Sequence, residues 1–429
     1  MSTSKLAAGA PDPVESPPLA RPVVSLGLVE IIAWGTTVYA LAVLGGPIGA
    51  DTGWSRSTVF AGMTLGLLVS GAVSTRVGRA TDRHGARMVM ALGSAIAAAS
   101  LAILSQATSE ALYLAAWVGV GLAMRMTLYD AAFAAMVEVA PRRGRRAIGY
   151  VTLFGGLAST VFWPLGHWLA LALGWRGALM VFAALHLLVG LPLVLYGLAG
   201  ARRPRAPEPE ATPAAAATAP MHARDARGRV DGADRRVAMV LFSVVMSANA
   251  FVFGAMSAHL VTILEHAGIV AAAAVGLASL KGVAQVAGRV WEIFFAQGLS
   301  AIAVGRIAVG LLPLAFAVLV LAGARIELAL AFTILFGLSN GLVTIVRGAV
   351  PLALFGPAGY GALLGVLAAP QLVASALAPV AFAALADLAG TDAAITALVA
   401  VSVLSFAAME AMALWHARRP DATGATGSR

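Results

Sequence analysis

Residues 57–75, STVFAGMTLGLLVSGAVST, carry no charge over 19 positions, and residues 88–104, MVMALGSAIAAASLAIL, carry none over 17. Between them GRATDRHGAR, residues 78–87, places four formal charges and a histidine in ten positions. Runs of this length match the ~30 Å of a bilayer's hydrocarbon at about 1.5 Å per helical residue. In lipid every backbone N–H and C=O must be paired within the chain, so such runs can only be helices or closed barrels, and runs rich in Ala, Leu, Val and Gly predict helices. The pattern recurs. Apolar segments lie near 23–46, 57–77, 88–106, 111–139, 147–173 and 177–198, then near 237–264, 270–294, 303–323, 327–350, 358–386 and 393–416. With 60% of residues hydrophobic and 11% charged, the predicted fold class is an all-α membrane protein of twelve transmembrane helices in two pseudo-symmetric six-helix bundles. These helices are called spans 1–12 below.

The segments around them set the domain organisation. Residues 1–22 read as a disordered tail, since they lack the apolar core of a signal peptide. Residues 23–198 form the first bundle and 237–417 the second, with 199–236, rich in Pro, Ala and charge, as a disordered linker and 418–429 as a second tail. Of the 29 Lys and Arg, Arg56, Arg176 and Arg325 fall on one side of the alternation, Arg125 and Lys281 fall inside spans, and the rest fall on the other side. Positive charge resists translocation, so both termini and the linker are predicted to be cytoplasmic, in a bacterial-type inner membrane. The net charge of +9 is thereby assigned to the lipid surface, with no nucleic-acid partner. Cysteine is absent, which excludes disulfides and thiolate metal sites.

The link between spans 2 and 3 has a specific order, Gly-x-x-x-Asp-Arg-x-Gly-x-Arg. Gly78 and Gly85 permit a tight turn and close helix approach. Asp82 is suited to cap the start of span 3 or to pair with an arginine, and Arg83 and Arg87 to meet helix-end carbonyls or phosphate head groups. Gly78, Asp82, Arg83, Gly85 and Arg87 resemble the loop 2–3 signature of the major facilitator superfamily, and the resemblance extends over about residues 23–417. It implies that these residues latch the two halves together in one conformation and release in the other. TGWSRS (52–57) and FGPAGYG (355–361) resemble bacterial members near the monocarboxylate and oxalate–formate branch. The equivalent second-half position offers only Gly288, Arg289 and Glu292, and the span 5 motif is reduced to Gly155, Gly156 and Pro164.

An ionisable side chain at the bilayer centre costs roughly 2.5–3.5 kcal/mol on insertion scales, so each needs a reason. Arg125 in span 4 and Lys281 in span 8 are expected to face a central cavity as anion ligands; the alternative for Arg125 is an ion pair with Glu30 or Asp130. Continuous helix in span 4 would point Arg125 and Asp130 some 140° apart, so each is expected to find a partner on another helix. Asp130 reads as a structural charge, linked to the loop 2–3 latch. Glu30 is the proton-coupling candidate, with a salt-bridged carboxylate as its alternative. Lys281, Gln285, Gly288 and Glu292 form one stripe on span 8; Glu30, Trp34, Thr37 and Leu41 another on span 1; Asn340, Thr344 and Arg347 a third on span 10. Gln285, Asn249, Asn340 and Gln371 are amides for ligand contact or helix stitching, and Trp34, Tyr39 and Tyr129 are aromatic candidates for the cavity wall. In the resembled branch a cationic residue on span 8 commonly binds the substrate, which implies this role for Lys281. Pro164, Pro313, Pro370 and Pro379 fall inside helices and are expected to kink them.

Enzyme signatures are missing. GLSNG (337–341) matches a nucleophile elbow but falls inside a helix, and the chain has no phosphate-binding Gly-x-x-x-x-Gly-Lys-Ser/Thr loop or His-Glu-x-x-His. No metal or other cofactor is expected. The sequence predicts a monomeric secondary transporter, symporter or antiporter, moving a small organic anion such as a monocarboxylate by alternating access on a proton or substrate gradient. The alternatives are efflux of uncharged or amphipathic drugs or sugars, and a transporter-like sensor.

Overall fold

A computed structural model describes residues 19–200, 230 and 232–419. The two tails and the linker expected from composition fall mostly outside these residues. Span 1 is Ala20–Thr52, span 2 Arg56–His84, span 3 Ala86–Ser105 and span 4 Glu110–Val139. Spans 7 to 12 are Gly232–His266, Ala271–Phe295, Ala301–Ala322, Ile326–Phe355, Tyr360–Ala389 and Thr391–Ala417. Spans 5 and 6 share one helical stretch, Pro141–Gly197, of 57 residues. As a single rod it would reach about 85 Å, almost three times the hydrocarbon thickness. It is broken at Gly174, whose φ of 70° and ψ of 172° lie where only glycine sits without a steric penalty. The eleven apolar stretches therefore make twelve crossings, as the hydropathy pattern predicts.

Polar residues set where these helices begin. The hydroxyls of Ser55, Ser109 and Ser300 accept from the N–H of Thr58, Leu112 and Ala303 at 3.0, 3.2 and 3.1 Å, satisfying donors that a helix start leaves open. Span 7 begins at Gly232, earlier than the apolar run at 237. Its polar first turns are held by Asp234 with Arg419 at 3.2 Å and by Arg235 over the Phe355 ring at 5.2 Å. Composition read these residues as linker because they project beyond the apolar run. Pro164, Pro313, Pro370 and Pro379 all lie inside continuous helices.

Three departures from a straight helix have no proline or glycine at their centre. Span 4 divides into Glu110–Thr127 and Tyr129–Val139 at Leu128, which is extended at φ −80° and ψ −177°. Span 1 widens into a π-type turn at Trp34–Val38, and span 6 into another at His186–Gly190. The last two face each other. The Thr36 hydroxyl donates to the Ile32 carbonyl at 2.8 Å and meets His186 Nε2 at 2.7 Å, both side chains being buried.

Apart from spans 2 and 11, which pack closely on one another across the halves, spans 1–6 and 7–12 pack mainly within their own half. Away from the link 2–3 face the halves have separate cores, one around Leu41, Leu44, Trp117 and Phe182, the other around Met256, Phe316, Phe332 and Leu398. Toward the link 2–3 face one core is shared, with Phe133 and Ile148 from the first half against Val346, Leu354 and Tyr360 from the second. Span 5 follows the same division. Its first segment, Gly144–Gly156, packs on span 1 and on the second segment of span 4 as well as on spans 8 and 10 of the other half, and the stretch from Ala158 onward packs on spans 1 and 3 of its own half. The molecule is therefore closed on the link 2–3 face and parted above it.

Packing inside the first half depends on a close backbone crossing of spans 2 and 4. A Cβ on Gly121 would lie 2.3 Å from the Gly66 carbonyl oxygen and 2.8 Å from its Cα, so the helices would have to separate. Gly121→Ala is expected to destabilise the protein by about 1–3 kcal/mol, the usual cost of overpacking. Gly46→Ala, where nothing lies within 4 Å of the added carbon, is expected to leave the melting temperature unchanged or raise it, as helix propensity favours Ala. Thermal unfolding of the two purified variants in one detergent checks both.

Candidate functional site

The break at Leu128 governs the middle of the molecule. A continuous span 4 would point Arg125 and Asp130 apart; the single extended residue resets the helical phase and brings Arg125 Nη1 to 3.4 Å from Asp130 Oδ2. The expectation that the two are not partners within span 4 is corrected by this geometry. Arg125 Nε also donates to Ser74 Oγ at 2.6 Å, and its side chain is only 3% exposed. Arg125 is thus held inside the first half with its charge matched. Asp130 Oδ2 accepts a second guanidinium, that of Arg347 on span 10. The carboxylate is shared by arginines of both halves.

Glu30 is fully buried. Its Oε2 accepts from Trp34 Nε1 at 3.0 Å, one helical turn on, and its Oε1 has no partner. No cation lies within ion-pair distance of it among the described residues, so the salt-bridged alternative is not what this conformation contains. The Trp34 ring stands 5.0 Å from Tyr129 and 6.1 Å from Tyr39. Tyr129 stacks on Phe133 at 5.4 Å and donates to the Thr152 carbonyl at 3.3 Å. These aromatic candidates are brought together into one wall beside Glu30.

Span 8 contributes four polar side chains at 281, 285, 289 and 292. Lys281 and Gln285 are half-buried and make no side-chain hydrogen bond or ion pair among the described residues. Arg289, buried, donates from Nη1 to the Thr152 carbonyl on span 5 at 2.8 Å, and its Nη2 lies 3.5 Å from Thr344 Oγ1 on span 10. Glu292 Oε1 accepts from Arg145 on span 5, Nε at 3.1 Å and Nη2 at 3.0 Å, while Arg145 Nη1 donates to the Leu299 carbonyl at 2.6 Å. Gly288 faces span 10 instead, where a Cβ would meet the Leu338 carbonyl at 2.8 Å. Arg145 is the site residue that spacing did not single out, while Arg347 stood on the span 10 stripe and Arg289 in the motif remnant without a site role. The signal available was the repeat of Gly78-Arg79-x-x-Asp82 as Gly288-Arg289-x-x-Glu292.

Two of the other amide candidates, Asn249 and Gln371, are bound outside this site. Asn249 Nδ2 donates to the Val245 carbonyl at 2.8 Å and to Ser405 Oγ, stitching span 7 to span 12. Gln371 Nε2 donates to Leu367 of its own helix at 2.9 Å. The side chain of Asn340, half-buried, makes no hydrogen bond among the described residues.

At the link 2–3 face, Asp82 caps span 11, where sequence reasoning had considered span 3. Its Oδ1 accepts from the Gly361 N–H at 2.8 Å and its Oδ2 from the Ala362 N–H at 2.7 Å. Two charge-assisted bonds to the positive end of a 30-residue helix contribute about 1.5–3 kcal/mol each. They are possible because spans 2 and 11 touch: a Cβ on Gly78 would lie 2.2 Å from the Gly361 oxygen. Gly85, at φ 84°, turns the chain, and the vacant cap of span 3 is filled by Glu138, whose Oε2 accepts from the Ala86 N–H at 2.9 Å. Arg83 and Arg87 are exposed and without a partner among the described residues.

Every polar contact described between the halves thus lies toward the link 2–3 face, with Trp34, Tyr39, Lys281 and Gln285 half-buried above it. This is one of the two end states that alternating access requires. Two solved structures share the architecture. The human organic anion transporter MFSD10 (TETRAN) is similar over 92% of this chain and 100% of its own, at a TM-score of 0.70 and 20% identity. FucP in the outward conformation is similar over 94% of this chain and 100% of its own, at 0.68 and 13%. At such identities they establish the fold. No curated protein sequence matches the chain significantly. The family model for the Major Facilitator Superfamily matches residues 26–323, and the chain belongs to that superfamily of multi-pass membrane transporters.

Proposed function

We propose that this transporter moves a small organic anion, with monocarboxylates as the first class to test, by rocking its two halves about the site at Trp34 and Lys281. The observation that carries this reading is the charge balance between the halves. Asp130 is matched by Arg125 and Arg347, and Glu292 by Arg145. Lys281 and Arg289 have no carboxylate partner among the described residues. An uncompensated cation at membrane depth costs roughly 2.5–3.5 kcal/mol, and a bound anion offsets that cost. Arg289 is spent on carbonyl and hydroxyl groups, which leaves Lys281 and Gln285 free to hold a carboxylate. Arg125 then supports the site from behind by fixing Asp130. Glu30, buried and with one oxygen unpaired among the described residues, is the candidate carrier of a coupled proton.

The basic residues favour an orientation in which the link 2–3 face and both termini are cytoplasmic, so the conformation described is open to the opposite side. The neighbour described as an organic anion transporter supports the reading only through the shared fold. Its placement near the monocarboxylate and oxalate–formate branch rests on TGWSRS and FGPAGYG. A second reading, uncharged or amphipathic drugs or sugars, draws on the Trp34, Tyr39 and Tyr129 wall, since aromatic faces stack on neutral rings.

In proteoliposomes, Lys281→Ala is expected to abolish saturable uptake of the carboxylate that most stabilises the wild-type protein in a thermal-shift screen, while Lys281→Arg retains part of it. Stabilisation of the wild type by neutral ligands alone, undiminished in Lys281→Ala, would select the second reading.

The latch is tested separately. The chain has no cysteine, so His84→Cys with Ala358→Cys gives one spin-label pair across the closed face. Asp82→Ala removes two bonds worth about 1.5–3 kcal/mol each and is expected to shift the label population toward long distances at least tenfold. An unchanged distance distribution would show that Asp82 does not hold that face shut.

A further inference from the structure

Three faces of span 2 are accounted for. Gly71 and Gly78 approach span 11; Gly62 and Gly66 approach Trp117 and Gly121 of span 4; Val77, with Val73 and Ala80, packs against Val89 and Ile96 of span 3 and Leu122 and Met126 of span 4. The remaining face is exposed, and near the link it reads Ala72, Arg76, Arg79, Arg83, a single stripe at i, i+4, i+7 and i+11. None of the three arginines makes a hydrogen bond or ion pair among the described residues. The acidic side chains beside them are already used, Asp82 on the amides of span 11 and Glu138 on that of Ala86.

Depth identifies what this stripe can meet. The uncharged run 57–75 covers about 28 Å of rise, close to the full hydrocarbon thickness. Arg76 follows it immediately, at the hydrocarbon boundary, and Arg79 and Arg83 stand ~4.5 and ~10.5 Å farther along the axis. That is the layer of lipid phosphates. At the equivalent positions span 8 has Val286, Arg289 and Ile293, which pack against span 5 of the other half, so the outward-facing basic stripe is particular to span 2.

We propose that Arg76, Arg79 and Arg83 form a binding site for the head group of an anionic phospholipid, in the leaflet on the link 2–3 side. Arginine presents its N–H groups as a planar fork that matches phosphate oxygens two at a time. Three forks spaced over about 10 Å of helix suit a phosphodiester whose acyl chains lie along Ala72 and the apolar surface beyond it. A soluble phosphate does not reach Arg76 at the hydrocarbon edge, so the lipid is the source to which the geometry commits.

The test uses the full chain in detergent, titrated with phosphatidylglycerol, phosphatidylcholine or inorganic phosphate and read by native mass spectrometry and thermal shift. Wild type is expected to retain phosphatidylglycerol and be stabilised by it, with little response to phosphatidylcholine or inorganic phosphate. Arg79→Gln with Arg83→Gln is expected to weaken that binding about thirtyfold, roughly fivefold for each basic residue near the surface. Arg142→Gln with Arg146→Gln removes the same charge from exposed positions on the same face and is expected to leave binding intact. Arg79→Lys with Arg83→Lys keeps the charge and is expected to bind at an intermediate level, which covers the case of a poorly folded glutamine variant. Equal losses in the two charge-matched doubles, no loss in either, or stabilisation by inorganic phosphate equal to that by lipid would overturn the site.

Discussion

The carboxylate of Asp130 is the point on which the two halves turn. It is 7% exposed and takes one arginine from its own half and one from the other. Removing such groups from water costs several kcal/mol per ion, so a pair of this kind adds little net stability compared with apolar packing. What it adds is discrimination. With the halves together, three charged side chains satisfy one another. With the halves apart, Arg347 leaves with span 10, and Asp130 keeps only Arg125. The interaction therefore separates two conformations in energy without deepening both, and a transporter that must visit each needs that.

Two further devices work in the same direction, and they are related by the internal repeat of the chain. In the first half Asp82 reaches the start of span 11; in the second Glu292 reaches Arg145 near the start of span 5. Each places a carboxylate from an even-numbered helix at the beginning of the helix that enters beside it from the opposite half. The chemistry differs. Asp82 takes bare backbone amides because Gly361 and Gly78 let the helices touch, whereas Glu292 takes a side chain that in turn donates to the Leu299 carbonyl. The first contact depends on close approach, and the second tolerates a side chain's length. One face of the molecule thus closes through a rigid contact and a compliant one.

Hydrophobic runs and charge placement made the twelve crossings legible, because bilayer thickness fixes helix length and leaves few alternatives. The link at 78–87 was legible as a marked position through its resemblance to a family motif, although its contact, Asp82 on the start of span 11, is with a partner hundreds of positions away. Less visible were the places where helical phase is reset. Leu128 carries no glycine or proline to mark it, and a constant angle of 100° per residue sends Arg125 and Asp130 apart; one extended residue joins them. The wide turn at Trp34–Val38 begins one turn beyond Glu30 and is equally silent in sequence. Side-chain stripes were reliable within unbroken helix, as in Glu30 with Trp34, or Lys281 with Gln285, and failed across a break. Arg289 was undervalued for another reason: as a fragment of a degenerate motif it suggested a link, yet it stands inside span 8 facing Thr152.

The contrast between Arg125 and Lys281 follows from these breaks. Both are cations near the middle of a span, and helical spacing alone did not separate them. The extended residue at 128 delivers Asp130 to Arg125 and so neutralises it within its own half. No comparable break interrupts span 8, which runs as helix from Ala271 to Phe295, so nothing on that helix is turned toward Lys281. Its neighbours one and two turns on, Gln285 and Arg289, offer donors and no carboxylate. An unpaired cation flanked by further donors is the feature on which the proposed anion site rests.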